Sequence, residues 1–354
     1  MSDTRPLLIT SDAHLAEEVS RIAAAAGVEP GVVSDPHTVL RLWRTAPLVL
    51  VGDDIVESLV RLALPRRQGV HVLSTAAVAD SLFRLALAVG AENVSRVAES
   101  TDWLVEVLAD LGEGRPTWAR VIGVIGGAGG AGATTLACAL GQVAAGRGRT
   151  LVVDTDPLGP GVDRVLGLDD TAGVRWPDLA RTTGRLSARS LREAVPRRQR
   201  LGVLGWPPGT AECSPFVLRE VLSAAARGHE TVVVDLPRTH REVVGEVVPR
   251  CDVVLVLVPD RVTGLAAATR LCRRLDDPAR VRLVLRGPVL DERAAARAAG
   301  VPVVGVVRDQ RGVEENVDLG FGPLRGDRGA LARSARGLLG AVTAPGAVGD
   351  DRVA

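Results

Sequence analysis

A glycine-rich segment that joins an apolar run to a helix-like run constrains this chain more than any other feature. Residues 121–125 are apolar or glycine, residues 126–132 contain five glycines, and an apolar helical pattern follows. Such a turn lets consecutive backbone N–H groups converge on phosphate oxygens at a helix N-terminus. The phosphate-loop pattern G-x-x-x-x-G-K-[ST] maps onto Gly127, Gly132, Ala133 and Thr134, so alanine stands where the pattern has lysine.

The missing lysine has no substitute elsewhere, because the chain contains no lysine. Its 43 basic residues are all arginine, and they are balanced by 42 acidic residues. Since phosphoryl transfer depends on cations that neutralise developing charge, the sequence predicts a phosphate-binding site with impaired hydrolysis. The net charge of +1 argues against a protein that coats nucleic acid with its whole surface.

Two threonines and three aspartates extend the predicted site beyond the glycines. Thr134 stands where a hydroxyl ligates Mg²⁺, and Thr135 stands where one contacts a more distal phosphate oxygen. Asp154 and Asp156 follow one strand pattern and Asp235 follows another, and the carboxyl ends of parallel strands meet at the ligand crevice. We expect Asp235 to hold Mg²⁺ through water and Asp156, the predicted catalytic residue, to orient an attacking water. The predicted nucleotide ligands are Gly127, Gly129, Gly130, Ala131, Gly132, Ala133, Thr134, Thr135 and Asp154.

Each of these features also has a simpler structural interpretation. A glycine-rich turn can close a strand–helix unit and bind nothing, and an aspartate after a strand can cap a helix or a turn. The glycines, the paired threonines and the strand-end aspartates together, in this order, favour the phosphate site.

Hydropathy patterning predicts two α/β domains in the 354 residues. In the first, we expect strands at Pro6–Thr10, Leu48–Val51 and Val70–Leu73, and helices at Leu15–Ala25, Asp80–Val89 and Thr101–Leu111. In the second, β-branched runs predict a parallel sheet buried on both faces, with strands at Val121–Ile125, Thr150–Val153, Leu201–Leu204, Thr231–Val234, Val253–Val258, Val281–Leu285 and Val303–Val306. The predicted organisation is a receiver-like domain (1–112), a linker (113–118), a P-loop NTPase-like, doubly wound domain with a mostly parallel sheet (119–344), and a disordered tail (345–354).

The order of elements in the first domain resembles a response-regulator receiver domain. A working receiver needs an acidic pair after its first strand and a phosphorylatable aspartate at the end of its third. Here the first strand runs into Thr10-Ser11-Asp12, and the third ends near Gly52, with Asp53 and Asp54 just beyond it. No lysine can follow the fifth strand, where Arg96 is the nearest cation. These departures favour a degenerate pseudo-receiver that works as an interaction domain over a phosphoacceptor.

Most of residues 119–340 resemble the MinD/ParA family of deviant Walker ATPases. The family loop K-G-G-x-G-K-[ST]-[ST] maps onto residues 128–135, the family D-x-D onto Asp154 and Asp156, and its Walker B acid onto Asp235. Within the family, the CpaE/TadZ branch of pilus-assembly proteins also joins a degenerate receiver to the ATPase and typically carries G-A-T-T. The closest resemblance is to the actinobacterial, CpaE-like group of septum-site-determining proteins (Ssd), through residues 173–179 and 184–187.

The chain departs from the family in three places. Ala133 replaces the P-loop lysine, and Ala128 replaces the signature lysine that reaches the nucleotide of the partner subunit in family dimers. Arg286 stands where an adenine-contacting asparagine is expected, and Arg164 and Arg238 are nearby arginines that could replace the lost cations. Because such cations are worth ~10³–10⁵ in rate, we expect hydrolysis to be weak or absent, while backbone amides and Mg²⁺ still support ATP binding.

The resemblance implies a cytoplasmic regulator of septum placement in cell division that acts through protein contacts, as a homodimer, with ATP and Mg²⁺ as cofactors. The first alternative is a localisation factor for a Tad-type pilus or secretion machine. The second is a slow, DNA-associated partitioning ATPase. Three points stay open here: whether nucleotide is bound, whether the chain dimerises, and whether the partner belongs to division or to pilus and secretion machinery.

Two further segments have competing interpretations. Residues 173–200 contain eight arginines and two acidic residues. This composition fits a patch that binds DNA or an acidic protein. It also fits a solvated arginine face, which is the interpretation we favour. Residues 330–342 form an amphipathic helix, which we expect to pack on its own sheet rather than on a membrane.

Targeting and cysteine patterns predict a cytoplasmic protein. No apolar run approaches the ~20 residues of a membrane span, and the first residues lack a signal-peptide pattern. The four cysteines lack metal or disulfide spacing and are expected to be reduced thiols.

Overall fold

The computed structural model describes residues 5–67, 69–112, 119–180, 186–207, 209, 214–287 and 290–343. The chain divides into two compact units, Met1–Pro116 and Thr117–Ala354. The predicted linker, residues 113–118, and the predicted tail, residues 345–354, lie outside the described residues.

The first unit alternates short strands with helices. Its elements are β1 (Leu7–Ile9), α1 (Ala13–Ala25), β2 (Gly31–Val33), α2 (Pro36–Leu42), β3 (Val49–Gly52), α3 (Val56–Arg61), β4 (Val70–Ser74), α4 (Asp80–Val89), β5 (Asn93–Arg96) and α5 (Thr101–Gly112). The described strands pair in parallel in the order β2-β1-β3-β4-β5, which is the flavodoxin-like order.

The three central strands β1, β3 and β4 are fully buried, as their apolar runs predict. One face of the sheet packs on α2, α3 and α4, and the other on α1 and α5. The sequence patterns missed β2 because it is three residues long and only partly buried, so it has no continuous buried run. Asp12 and Asp35 cap the helices that follow β1 and β2 by accepting backbone N–H groups.

The second unit carries the larger sheet. Its elements are β6 (Arg120–Gly126), α6 (Ala133–Ala145), β7 (Thr150–Asp154), α7 (Val162–Val165), α8 (Trp176–Leu179), α9 (Ala188–Ala194), β8 (Arg197–Arg198), β9 (Leu201–Leu204), α10 (Pro215–Gly228), β10 (Thr231–Leu236), α11 (Arg241–Val247), β11 (Val253–Pro259), α12 (Val262–Cys272), β12 (Val281–Arg286), α13 (Glu292–Ala299), β13 (Val303–Val307), α14 (Val313–Asp318) and α15 (Ala330–Thr343).

The sheet order places the glycine-rich segment at the centre of the second unit. Among the described residues the order is β13-β12-β11-β6-β10-β7-β9-β8, parallel except for the antiparallel edge pair β8–β9. Strand β6 lies between β11 and β10, and β7 pairs with the other side of β10. The carboxyl ends of these strands therefore open on one crevice, as expected for a doubly wound sheet. The fold class predicted from the sequence is confirmed, with β8 as an unpredicted edge strand.

Two hydrophobic layers cover the faces of this sheet. Helices α10, α12 and α13 contribute to one layer, and α6 and α15 contribute to the other. The terminal helix α15 buries Leu331, Leu338, Leu339 and Val342 in the layer that it shares with α6. Its apolar face is thus turned toward its own sheet, as the sequence indicated.

Candidate functional site

The glycine-rich loop, residues 127–132, connects β6 to α6 with two left-handed glycines. Gly130 has φ +69° and Gly132 has φ +92°, a backbone region that residues with a side chain rarely adopt. Gly132 is the N-cap of α6 and offers no side-chain acceptor, so the first-turn amides of the helix are available to an anion.

Gly127 has a packing role in this loop. Its N–H donates to the Leu257 carbonyl at 2.9 Å, and a Cβ at this position would lie 2.7 Å from the Ala268 Cβ. The residue does not line the cavity described below. The geometry therefore gives Gly127 a role in the fit between the loop and β11 and α12, and its contact with nucleotide stays a prediction.

A hydroxyl and a carboxyl group meet at the base of the loop. The Thr134 Oγ1 donates to the Asp235 Oδ2 at 2.7 Å. Asp235 lies on β10 and is only 3% exposed. Burial raises the pKa of Asp235 to about 7, although the hydrogen bond from Thr134 lowers it. The two residues predicted to hold Mg²⁺ are thus brought together on neighbouring elements.

Asp154, predicted as a nucleotide ligand, instead organises the loop after β7. It is 1% exposed, and its carboxylate oxygens accept the N–H groups of Asp156 at 2.9 Å and Val162 at 3.1 Å. Burial raises its pKa to about 7. Because both oxygens face the backbone of its own loop, Asp154 does not line the cavity, whereas Asp156 does.

Two tryptophans, Trp176 and Trp206, form hydrogen bonds to the backbone at the start of the same loop. Their indole Nε1 groups both donate to the Asp154 carbonyl, at 2.6 Å and 3.1 Å, and the rings stack with centroids 5.5 Å apart. Trp176 belongs to the segment on which the resemblance to the septum-site group was based, residues 173–179. Its observed role is to hold the end of β7.

The loop opens on a cavity of about 710 Å³, a size that suits a nucleotide. All predicted loop ligands except Gly127 line it, as do Asp156 and Asp235. Four arginines also line the cavity: Arg238, Arg286, Arg308 and Arg311. The cavity therefore has cationic groups although the chain has no lysine.

Arg286, at the end of β12, is the cation that contacts the loop directly. Its Nη1 donates to the Ala131 carbonyl at 3.0 Å, and its Nε pairs with the Asp309 Oδ1 at 2.7 Å. A Cβ added to Gly132 would lie 3.2 Å from the same guanidinium. Arg164, the other arginine that sequence analysis offered as a replacement cation, pairs with Asp169 outside the cavity.

Sequence reasoning missed the segment after β13. Arg308, Asp309, Gln310 and Arg311 all line the cavity. The signal was available, because these polar residues directly follow a predicted buried strand, as Asp154–Asp156 do. Strand-end polar residues converge at the crevice whichever strand they follow.

Most of the described arginines of residues 173–200 are exposed, and two of them bond to neighbouring loops. The Arg175 side chain is 11% exposed and pairs with the nearly buried Asp163 at 3.0 Å. Arg198 donates to the carbonyls of Gly167 and Gly320. Arg175 and Arg198 thus connect loops of the second unit, while Arg189, Arg197, Arg198 and Arg200 are exposed, as a solvated face predicts. Arg181 and Arg185 lie outside the described residues.

In the first unit, hydroxyl groups donate hydrogen bonds to the aspartate carboxylates that follow β3. Asp54 accepts the Thr10 Oγ1 and the Ser11 N–H, each at 2.7 Å, and Asp53 accepts the Ser74 Oγ at 2.6 Å. Asp12 is engaged as the N-cap of α1. The degenerate character of this receiver-like domain stays a prediction.

The described residues contain no group of three or more histidine, cysteine or carboxylate side chains that could hold a metal ion by themselves. No described helix combines the length and apolar character needed to cross a membrane. Cys138, Cys251 and Cys272 are buried free thiols, and burial raises the pKa of Cys251 to about 12. Cys213 lies outside the described residues.

Solved structures with the same fold as the second unit include ParA and MinD proteins. The ParA family ATPase of Chlorobium tepidum aligns with a TM-score of 0.54 and 20% identity, over 61% of this chain and 96% of that chain. The septum site-determining protein MinD of Pyrococcus horikoshii, complexed with Mg-ADP, aligns with a TM-score of 0.52 and 18% identity, over 66% and 99%. A chain of the MinC:MinD cell division protein complex of Aquifex aeolicus gives a TM-score of 0.52, 18% identity, and coverage of 62% and 94%. At these identities the likeness shows the fold alone.

Sequence comparison identifies relatives over nearly the whole length. Residues 9–119 match the family described as "Rv3660c-like, CheY-like N-terminal domain". Two Mycobacterium tuberculosis proteins, "Uncharacterized protein Rv3660c" and "Uncharacterized protein MT3760", are each 36% identical over 345 residues, covering 95% of this chain and 97% of the relative. The chain therefore belongs to the Rv3660c-like family, with a CheY-like N-terminal domain followed by a domain of the ParA/MinD P-loop fold.

Proposed function

We propose that the second unit binds ATP with Mg²⁺, turns it over slowly or not at all, and regulates a partner protein by direct contact. The contact between Thr134 and Asp235 at the base of the glycine-rich loop carries this proposal. A hydroxyl and a carboxylate on adjacent elements, beside free helix amides, form an oxygen-rich set of the kind that holds Mg²⁺ together with phosphates.

The residues present fit a magnesium nucleotide. Thr134 and Asp235 would hold the ion, the amides of Gly130 and of residues 132–135 would receive the phosphates, and the ion would supply charge neutralisation when bound. A cation also favours the ionised form of Asp235, whose pKa of about 7 reflects burial without a counter-charge.

The same site does not fit rapid hydrolysis. Ala133 supplies no charge, and Arg286 is already committed to Asp309 and to the Ala131 carbonyl. Asp156, which lines the cavity, would orient water, but its Oδ1 accepts the Leu158 N–H at 3.1 Å. We therefore assign to this chain a switch or scaffold role in which bound nucleotide stabilises one form.

Calorimetric titration of Mg-ATP into the full chain tests the proposal. Saturable binding should weaken at least about tenfold in Asp235→Ala, because tenfold corresponds to only about 1.4 kcal/mol of lost magnesium contact. Asp170→Ala, an exposed carboxylate that does not line the cavity, should bind like the wild type. Absence of any saturable heat would refute nucleotide binding, and equal loss in both variants would refute the assignment of the site to Asp235.

For the cellular role, we propose a cytoplasmic, CpaE-like (Ssd-like) regulator of septum placement that acts with a protein partner as a homodimer. The competing role, localisation of a Tad-type pilus or secretion machine, is favoured by the joining of a pseudo-receiver to a P-loop domain. A fluorescent fusion should mark future septa and change their spacing when overproduced. Localisation at secretion or pilus sites with normal septation would favour the alternative. Salt-sensitive DNA binding would point to a partitioning role.

A further inference from the structure

A second cavity of the P-loop unit lies between α11 and α12, outside the nucleotide site. It has a volume of about 570 Å³ and is lined by both helices and by the segment that leads to β12. Arginine and apolar side chains dominate its wall. We call it the α11–α12 groove.

Four arginines of the groove are exposed and have no partner within the described part of the chain. The guanidinium groups of Arg238, Arg241, Arg270 and Arg274 form no ion pair or hydrogen bond with any residue that the structure describes. The fifth, Arg280, pairs with Asp277 at 2.6 Å. With Asp276 as the remaining carboxylate, the groove carries a clear excess of positive charge in a chain whose net charge is only +1.

The floor between these arginines is apolar. Val248 and Leu275 are buried and Val244 and Leu271 are half-buried, yet all four line the groove. A binding site for nucleic-acid phosphates gains nothing from such a floor, whereas the apolar side chains of an amphipathic helix can be buried on it.

Gly245 keeps the groove open. It lies inside α11, where glycine costs about 1 kcal/mol relative to alanine. No atom lies within 4 Å of the position of its missing Cβ, so the packing of the unit does not require glycine there. A side chain at this position would project into the groove.

We propose that the α11–α12 groove docks an acidic amphipathic helix of a partner protein. Carboxylates of that helix would pair with Arg241, Arg270 and Arg274, and its apolar residues would cover the groove floor. The inference rests on the proposed action through protein contact, but not on nucleotide binding. Arg238 lines both this groove and the nucleotide cavity, so the docked helix would lie beside the nucleotide site.

Fluorescence anisotropy with the full chain tests the docking site. The probe is a labelled helix of about four turns, with leucines on one face and glutamates on the others. Arg270→Glu with Arg274→Glu should weaken binding at least about tenfold. The two changes replace attraction to the glutamates of the probe by repulsion, and a few anchor residues carry most of the binding free energy at an interface. Gly245→Gln should also weaken binding, without any charge change and without loss of folding.

The matched control is Arg293→Glu with Arg297→Glu. These arginines are also exposed and four residues apart, on α13 and outside the groove. This pair should bind the probe within about twofold of the wild type, because only non-specific attraction changes. A version of the probe with lysine in place of glutamate should not bind.

The proposal is overturned if the acidic probe shows no saturable binding, or if both double variants lose binding equally. It is also overturned if duplex DNA displaces the probe at a lower concentration than unlabelled probe does. A dimer that dissociates only in the groove variants during sedimentation would overturn it as well. The last two would assign the groove to nucleic acid or to a second copy of the chain. Because the assay contains no nucleotide, its failure is distinguishable from a failed Mg-ATP titration.

Discussion

Single residues at the strand ends decide what this P-loop unit can do chemically. Asp154 and Asp235 occupy neighbouring strands in register and are both buried, yet one faces its own loop while the other faces Thr134. Burial raises the pKa of each to about 7. Their positions on the paired strands correspond, but only Asp235 contacts Thr134, so the proposed Mg²⁺ site includes Asp235 and not Asp154.

The raised pKa of Asp235 predicts a stability effect with a definite sign. In the unfolded chain this carboxyl ionises near its ordinary value of 3.8, and in the folded chain near 7. The contribution of Asp235 to the free energy of unfolding is therefore fully present below about pH 4 and is lost as pH rises to about 7. In this range the unfolded chain has already released the proton that the folded chain still holds. Asp235→Asn, which keeps an acceptor for Thr134, should stabilise the nucleotide-free protein at pH 8 by on the order of 2–4 kcal/mol.

Urea unfolding at pH 5 and pH 8 measures this difference, which should shrink toward the lower pH. Asp235→Ala serves as the control, because it removes the charge but leaves Thr134 without its acceptor. An Asp235→Asn protein that is no more stable than the wild type at pH 8 would contradict the assignment.

Position 133 predicts a gain of function. Ala133→Lys restores the cation of the phosphate loop at the first residue of α6. We expect Mg-ATP binding to tighten by about tenfold or more and phosphate release to become measurable, since cations at such sites contribute ~10³ or more to rate. Ala133→Gln has similar length without charge and should do neither. Equal behaviour of the two variants in calorimetry and phosphate-release assays would show that the missing charge is not the cause of slow turnover.

At the level of elements, the site depends on how closely α6 lies on the sheet. Gly141 of α6 faces Val152 of β7, and a Cβ on Gly141 would lie 2.3 Å from a Val152 methyl group. Glycine inside a helix normally weakens it, so its presence here reflects close packing between helix and strand. That packing keeps Thr134, at the start of α6, within hydrogen-bonding distance of Asp235 on β10.

Gly141→Ala should therefore destabilise the protein, by about 1–3 kcal/mol, although the same change in an open helix position stabilises. Gly337→Ala in α15, where no atom lies within 4 Å of the added Cβ, is the comparison and should stabilise by about 0.5–1 kcal/mol. Chemical denaturation measures both changes in the free energy of unfolding. Effects of the same sign in the two variants would rule out overpacking as the reason for Gly141.

At the scale of the whole molecule, charge is balanced although arginine is abundant. The net charge is +1 at pH 7, and the pI calculated from the sequence is about 7.8. Many arginines on the second unit form internal bonds, as Arg175, Arg198 and Arg286 do, so the uncompensated positive charge is concentrated in places such as the α11–α12 groove.

This balance predicts that self-association is strongest near the pI. With little net repulsion, static light scattering should reach a maximum near pH 7.8 and fall at pH 6 and below, as histidines and carboxylates take up protons. Raised ionic strength should flatten this dependence. A scattering profile without a pH maximum in dilute buffer would contradict the charge argument.

The sequence alone predicted the central strands of both sheets and the position of the glycine-rich loop, because buried parallel strands have continuous apolar runs and their carboxyl ends must converge. Those local signals placed Thr134, Asp156 and Asp235 at one crevice. The direction of a buried side chain is set by long-range packing, so only the tertiary structure could turn Asp154 toward its own loop. For the same reason, only the tertiary structure brought Arg286 from β12 to the glycine loop and opened the groove between α11 and α12.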